Sequence, residues 1–370
     1  MGRSRKPRAF RAAVPAMVAA CTAIALVVLP GLTVGGGSAR TAQAAAASAS
    51  AAPKALCTVR DERLTELSGL AADASQWYAI ADGGSSLKVY VLDRSCTVRN
   101  VITGAIDPYD VEDLALANDG TLWLADTGDN SAERDTVAVH TLRPDGTARL
   151  HRLTYPDGKH DAEALLLGPS GVPHIVTKNV LGTAKVYRPD ARLRSPGPTP
   201  LVKVAEVDIP SSDTPGGPVG GASSALVTGG AVNADGSVIA LRTYTDAYLF
   251  PAPNGHLVEA LERDPVRIPL PNEPQGEAIA FTPDGTLLSA GEGGGLPIRA
   301  VPGAVAKAHA AAARSEAGNG EPGPGQPAAA GADERRAADE AGLAPVPGFI
   351  VAASVVGLVY AGWSWYRRRV

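Results

Sequence analysis

Three segments of the chain align without gaps: Glu112–Gly120 (EDLALANDG), Glu163–Gly171 (EALLLGPSG) and Glu277–Gly285 (EAIAFTPDG). In each, a glutamate opens an apolar run and stands eight residues before the glycine of a turn; a second apolar run follows, TLWLAD, VPHIVTK or TLLSAGE. A short unit with two apolar faces cannot bury both alone, so its copies must stack on one another. Two further segments follow the plan imperfectly. Ser68-Gly69-Leu70-Ala71-Ala72-Asp73 with WYAIAD lies 44 residues before the Glu112 copy, and VTGGAVNADGSVIALRTY places Gly236 in the turn with no glutamate ahead of it. An apolar strand, an Asp-Gly or Ser-Gly turn, a second apolar strand and a more polar pair describe a four-stranded blade. The expected fold is therefore all-β, a β-propeller. Anchors at 68, 112, 163, 228 and 277 fit five blades, and the long third-to-fourth interval leaves six open, with extra strands in KVYRPD and LVKVAEVDIP. A β-sandwich would explain the strands but not the spacing. The last copy supplies three strands, so ALCTVRD near residue 57, which resembles CTVRNVI, is expected to add the fourth and remove the open edge.

The flanks carry other patterns. Arg3, Arg5, Lys6, Arg8 and Arg11 precede an uncharged run from Ala12 to Val34, and Ala42-Gln43-Ala44 follows. This is the order of a secretory signal, so residues 1–44 read as a signal peptide and 45–302 as an exported propeller. Residues 303–345, rich in Ala, Gly and Pro, read as a linker. From Phe349 to Tyr366 the chain is uncharged and mostly apolar and ends in Arg367, Arg368 and Arg369. Such a length crosses a ~30 Å hydrocarbon core as a helix. Residues 346–370 thus read as a transmembrane helix with a cytoplasmic arginine tail. The expected location is the cell membrane, single-pass, propeller outside, with the membrane as one partner and an extracytoplasmic ligand as another.

All 38 acidic residues lie between Asp61 and Glu340. Setting aside the basic residues of the two flanks leaves 25, a formal −13 for residues 45–345. That balance excludes nucleic acid, whose phosphates need a basic footprint, and suits cations or cationic ligands. With Cys21 in the signal, Cys57 and Cys96 remain, each opening a Cys-Thr-Val-Arg tetrapeptide, and an even count in an oxidising compartment suggests a disulfide.

The repeated acids fall where inner strands begin: Asp110 and Glu112, Asp161 and Glu163, Gln275 and Glu277, with Glu66 and Ser68 in the first copy. Residues two apart on a strand point the same way. Asp82, Asp126 and Arg242 close the second strands, and Lys178 and Glu292 do so one residue later, through either a bulge or a shifted alignment. Glu112, Asp113, Asp161, Glu163, Lys178, Arg242, Glu277 and Glu292 are the candidate ligand-binding residues. Their carboxylates could hold Ca²⁺ or another divalent metal, or could be structural contacts between blades. Trp77, Tyr78 and Trp123 read as blade packing. No G-x-S-x-G elbow, HExxH helix or P-loop is present, and His160 beside Asp161 is the one histidine in a polar motif.

Glu112-Asp113-Leu114-Ala115, Asp126-Thr127-Gly128-Asp129-Asn130, Arg134, Tyr155-Pro156-Asp157-Gly158, Asp161-Ala162-Glu163-Ala164-Leu165 and Thr177-Lys178 together resemble a pattern in bacterial secreted propeller proteins. The blade grammar is more distantly similar to the SMP-30/gluconolactonase and phytase-like esterase propellers. That second resemblance implies a divalent metal held in the channel by acidic and amide residues, with Glu112, Asp126, Asp129 and Glu163 as its ligands here. Two functions are expected: a surface ligand- or partner-binding module, or a metal-dependent hydrolase of lactonase or phosphoesterase type.

Overall fold

The computed structural model describes residues 52–180 and 183–318. They form β1 (Lys54–Thr58), β2 (Leu67–Ala72), β3 (Trp77–Ala81), β4 (Leu87–Leu92), β5 (Val98–Gly104), β6 (Val111–Leu116), β7 (Leu122–Asp126), β8 (Val137–Leu142), β9 (Ala148–Thr154) and β10 (Ala162–Leu167). There follow β11 (Pro173–Thr177), β12 (Thr183–Pro189), β13 (Thr199–Asp208), β14 (Val227–Val232), β15 (Val238–Thr243), β16 (Asp246–Pro251), the short helix α1 (Leu257–Leu261), β17 (Val266–Pro269), β18 (Gly276–Phe281), β19 (Leu287–Gly291), β20 (Pro297–Val301) and α2 (Ala304–Gly318).

The protein is all-β, a β-propeller. Three sheets are four-stranded meanders, β2-β3-β4-β5, β14-β15-β16-β17 and β18-β19-β20-β1, and one has eight strands. The eight-stranded sheet is two antiparallel meanders, β6 to β9 and β10 to β13, joined by a short parallel pairing of Leu153 with Thr199 and Thr154 with Pro200. The first strands contact one another in a cycle: β2 with β6, β6 with β10, β10 with β14, β14 with β18, and β18 with β2. Position in that ring explains the sequence. β10 (AEALLL) and β18 (GEAIAF) are buried at every residue, as strands covered on both faces must be. The outer strands β5 and β9 alternate buried and exposed positions. Gly120 and Gly285 close their hairpins at φ +80°, a conformation that strains any residue with a Cβ.

The ring closes as the repeat spacing expects. β1 pairs antiparallel with β20, Lys54 opposite Ala300 and Thr58 opposite Pro297, so both ends of the propeller share one sheet. Cys57 of β1 is disulfide-bonded to Cys96 in the turn before β5, with Cα atoms 5.7 Å apart. The bond therefore crosses the seam between the last sheet and the first. The stretch read as a linker begins as α2, which buries Ala304 and Ala308 against Ile279, Leu287 and Val301. Its small side chains allow the close approach.

The expected single-pass anchor is corrected: no helix among the described residues is long and apolar enough to cross a membrane. Residues 346–370, on which that expectation rests, and the signal segment 1–44 lie outside the described residues.

Candidate functional site

Every inner strand carries the same irregularity near its start. Pairing with the second strand slips between Leu67 and Gly69, Val111 and Asp113, Ala162 and Ala164, Val227 and Gly229, and Gly276 and Ala278. The extra residues are Ser68, Glu112, Glu163, Thr228 and Glu277, and these hold the repeated polar position of the sequence. A bulge bends its strand and re-aims the extra side chain out of the sheet's ordinary alternation. Where that residue is short, its hydroxyl donates to the next inner strand: Ser68 Oγ to the Glu112 carbonyl, and Thr228 Oγ1 to the Gly276 carbonyl at 2.8 Å. Where it is glutamate, a buried carboxyl results; Glu112, Glu163 and Glu277 are 7%, 3% and 4% exposed.

These carboxyls meet further acids. Oxygens of Asp82, Asp110 and Glu112 all lie within 4.8 Å of one another. Burial pushes Asp110 up to about 8, reinforced by the charge of Asp82, by a hydrogen bond between the two carboxyls, and by Asp161 and Glu163. Burial likewise holds Glu112 well above the carboxylate range, with Glu163, Asp82, Asp110 and Asp161 adding repulsion. Glu163 rises to about 8 through burial, despite the opposing charge of Lys178, whose Nζ donates to Glu163 Oε1 at 2.5 Å. Glu277 is raised by burial and by Glu163, with Lys178 opposing and Glu292 adding to the rise. Gln275 Nε2 donates to Glu292 at 2.6 Å and to Glu277 at 3.2 Å. Lys178 also lies 5.1 Å from the centre of the Tyr244 ring. Glycine is required beside the cluster: a Cβ on Gly128 would collide with Glu112 Oε1 and Asp110 Oδ2. A cleft of about 360 Å³ reaches Asp82 from outside, bordered by Arg63, Glu66, Gly84, Lys88 and Tyr90.

Several expected site residues have other duties. Asp113 is fully buried and accepts the backbone N–H groups of Leu114, Leu165 and Gly230 at 2.7–3.0 Å, fastening three inner strands together. Burial drives its carboxyl upward, and the three donors offset part of that rise. Arg242, with 0% exposure, pairs with Glu273 and donates to the Ala278 carbonyl at 2.9 Å. Ser289 Oγ donates to the other Glu273 oxygen at 2.9 Å. Asp126 binds Arg134 and His140, each at 2.9 Å, and the N–H groups of Tyr109 and Asp110. Burial works against its ionisation, but His140 and Arg134 outweigh it and hold the carboxyl below the usual range. Asp129 caps the following turn through the N–H groups of Glu133 and Arg134. Of the four metal ligands implied by resemblance, Glu112 alone belongs to the three-carboxyl cluster; Asp82 and Asp110 complete it.

The one-residue offset between second strands is a difference in turn length. Leu67 pairs with Ala81, Val111 with Asp126, Ala162 with Thr177, Val227 with Thr243 and Gly276 with Gly291. Asp82, Lys178 and Glu292 are therefore equivalent, one step beyond, and share that level with Thr127 and Tyr244. The alignment of Asp82 with Asp126 is corrected accordingly. Thr127 donates instead to the Ala162 carbonyl at 2.7 Å.

No family model matches the chain, and no curated protein is similar to it. Among solved structures it is distantly similar to a gluconolactonase from Xanthomonas campestris, at 16% identity over 64% of this chain and 72% of that one, with a TM-score of 0.37. A luciferin-regenerating enzyme shares 12% identity over 64% and 78% of the two chains, with a TM-score of 0.39. A PQQ-bound aldose sugar dehydrogenase from Streptomyces coelicolor shares 12% over 68% and 98%, with a TM-score of 0.36.

Proposed function

We propose that this chain is a five-bladed propeller, its eight-stranded sheet counting as two blades, that binds a hard divalent cation at Asp82, Asp110 and Glu112 and hydrolyses a lactone or phosphoester there. The observation behind this reading is the convergence of three carboxyls within 4.8 Å on partly buried ground, where burial and neighbouring acids hold Asp110 and Glu112 toward their protonated forms. A cation relieves that repulsion. The donors are all oxygen, which suits Ca²⁺, Mg²⁺ or Mn²⁺ over softer metals. Three protein ligands leave coordination positions for water and substrate, and a bound cation would polarise a carbonyl or phosphoryl oxygen. Around it, Glu163 retains a proton to about pH 8 and suits acid–base work near neutrality. Lys178, steadied by Glu163 and Tyr244, would place positive charge near developing oxyanion character.

The test is hydrolysis of a chromogenic lactone and of a p-nitrophenyl phosphodiester by the full chain, with and without chelator, alongside calorimetric titration with Ca²⁺ and Mn²⁺. Turnover that chelation abolishes and Asp110→Asn reduces at least a hundredfold supports the hydrolase. Absence of cation binding defeats the reading at its root. Cation binding without turnover selects a second reading, a ligand-binding module whose mouth the cation organises. The cleft from Asp82 to Arg63, Lys88 and Tyr90 favours that second reading, because it offers mixed charge and an aromatic ring to a ligand beside the acids.

A further inference from the structure

A second cavity, of about 530 Å³, opens between the sheet β6–β9 and the following strands, at the hairpin end away from the acids. Its floor is set by register. Trp123 of β7 pairs with Thr141 of β8, and Thr141 with Arg149 of β9, so the three form a row on one face. His151 lies two residues beyond Arg149 on that face, and Arg143 and Thr147 lie toward the turn. Three equivalent rows elsewhere, Tyr78–Val91–Asn100, Ala240–Leu249–Val266 and Leu288–Ala300–Lys54, place apolar side chains of the packed clusters in their first two positions. In β7–β9 the row turns polar and cationic, and the space stays open. Trp123 packs on one side against the cluster of Val139, Ile175 and Tyr187 and lines the cavity with what remains exposed.

Arg149 of β9 and Arg192, between β12 and β13, both line the cavity and are exposed, and neither makes an ion pair with a carboxylate among the described residues. Arg143 has Asp119 and Asp145 for neighbours. His151 is buried and donates from Nδ1 to the Arg194 carbonyl at 3.0 Å, and burial and Arg149 keep it neutral. On a domain whose sequence carries a large acidic excess, a concave site lined by Arg143, Arg149 and Arg192 suits an anion. Thr121, Thr141 and Thr147 add hydroxyls around the indole.

We infer that this cavity binds an acidic saccharide, a sugar ring lying on Trp123 while its carboxylate or phosphate is held between Arg149 and Arg192. Guanidinium groups match both anions bidentately, and hydroxyl-lined aromatic floors suit the CH face and edge hydroxyls of a pyranose. The site is separate from the carboxyl cluster, so its occupancy does not depend on any cation there.

Titrating the full chain with a galacturonate trimer, with a hexose phosphate, with a neutral galactose trimer and with sodium sulfate, by calorimetry and tryptophan emission, decides the matter. One or both acidic sugars should bind and shift the emission, which then identifies the anion. The neutral trimer should bind at least tenfold more weakly. Arg149→Glu with Arg192→Glu should lose binding at least tenfold, Trp123→Phe should remove the emission change, and the charge-matched control Arg314→Glu on α2 should retain both. Equal binding of the neutral sugar, sulfate matching the acidic sugars, unchanged affinity in the arginine pair, or no binding of either acidic sugar each overturns the inference. Far-UV circular dichroism of each variant confirms that a loss is not unfolding.

Discussion

Arg242 with Glu273 and the trio Asp82, Asp110 and Glu112 are both sets of charge withdrawn from water near the starts of inner strands, yet they are built on opposite principles. In the first, unlike charges meet, Ala278 and Ser289 add hydrogen bonds to the pair, and Arg299 stands 3.8 Å from the same Glu273 carboxylate. In the second, like charges meet, and burial adds to their repulsion. Desolvating an ion costs several kcal/mol unless a partner offsets it; the first set finds its counter-charge within the chain, while under the proposed function the second takes a cation from outside. Repeated charge at a strand start therefore does not mark function alone; the sign of the nearest neighbour separates scaffold from site.

The largest expected effect tests the first half of this contrast. Arg242→Met leaves buried Glu273 with only Ser289 and the longer 3.8 Å pairing to Arg299, and should cost up to about 3–5 kcal/mol in urea unfolding, whereas Arg242→Met with Glu273→Leu should recover most of that loss. A single variant as stable as the parent would erase the distinction. Next, excess Ca²⁺ should raise the parent's unfolding free energy by about 2.7 kcal/mol at a hundred times the dissociation constant. Gly128→Ala, which forces a methyl onto Glu112 and Asp110, should abolish that response. The pH dependence is read as a slope. Asp110 and Glu163 bind protons up to about pH 8 when folded, while carboxyls in the unfolded chain release theirs near pH 4. Between those limits the native state holds more protons, so cation-free stability should fall as pH rises from about 4 to about 8. Saturating Ca²⁺ should flatten that slope in calorimetric scans. Smallest of all, Glu112→Gln without cation should change stability by less than about 1 kcal/mol, or raise it, because a carboxyl already held toward its neutral form is replaced by a permanently neutral group of similar shape. A loss comparable to that of Arg242→Met would show the trio to be scaffold too.

The fold was legible because its repeats are local: apolar run, turn glycine, apolar run, with a glutamate at one fixed place. That glutamate's position could be read from the alignment, but its reason, a bulge in every inner strand, depends on pairing that only the sheet reveals. Asp126 was misplaced because the β2–β3 turn is one residue shorter than the β6–β7 turn, which slides Asp82 against the wrong partner. Asp113 carries a signal, an acid beside an apolar run on a strand buried over its first four residues. Glu273 carried none. It sits in a loop outside the repeat, and its partner Arg242 lies 31 residues earlier. Trp123 was read as packing, which describes one side of the ring and misses the cavity on the other.

The pairing of β1 with β20 also has a consequence in time. Lys54 must wait for Ala300, so the strand that completes the ring is among the earliest made and the last to be used. Until then β20 presents an unpaired edge to every neighbouring chain. Contacts spanning such sequence distances slow folding, because the chain between them must be confined before they contribute. The Cys57–Cys96 bond spans 39 residues and involves neither β20 nor any later strand, so once formed it tethers β1 beside the first sheet and keeps the closing strand at hand.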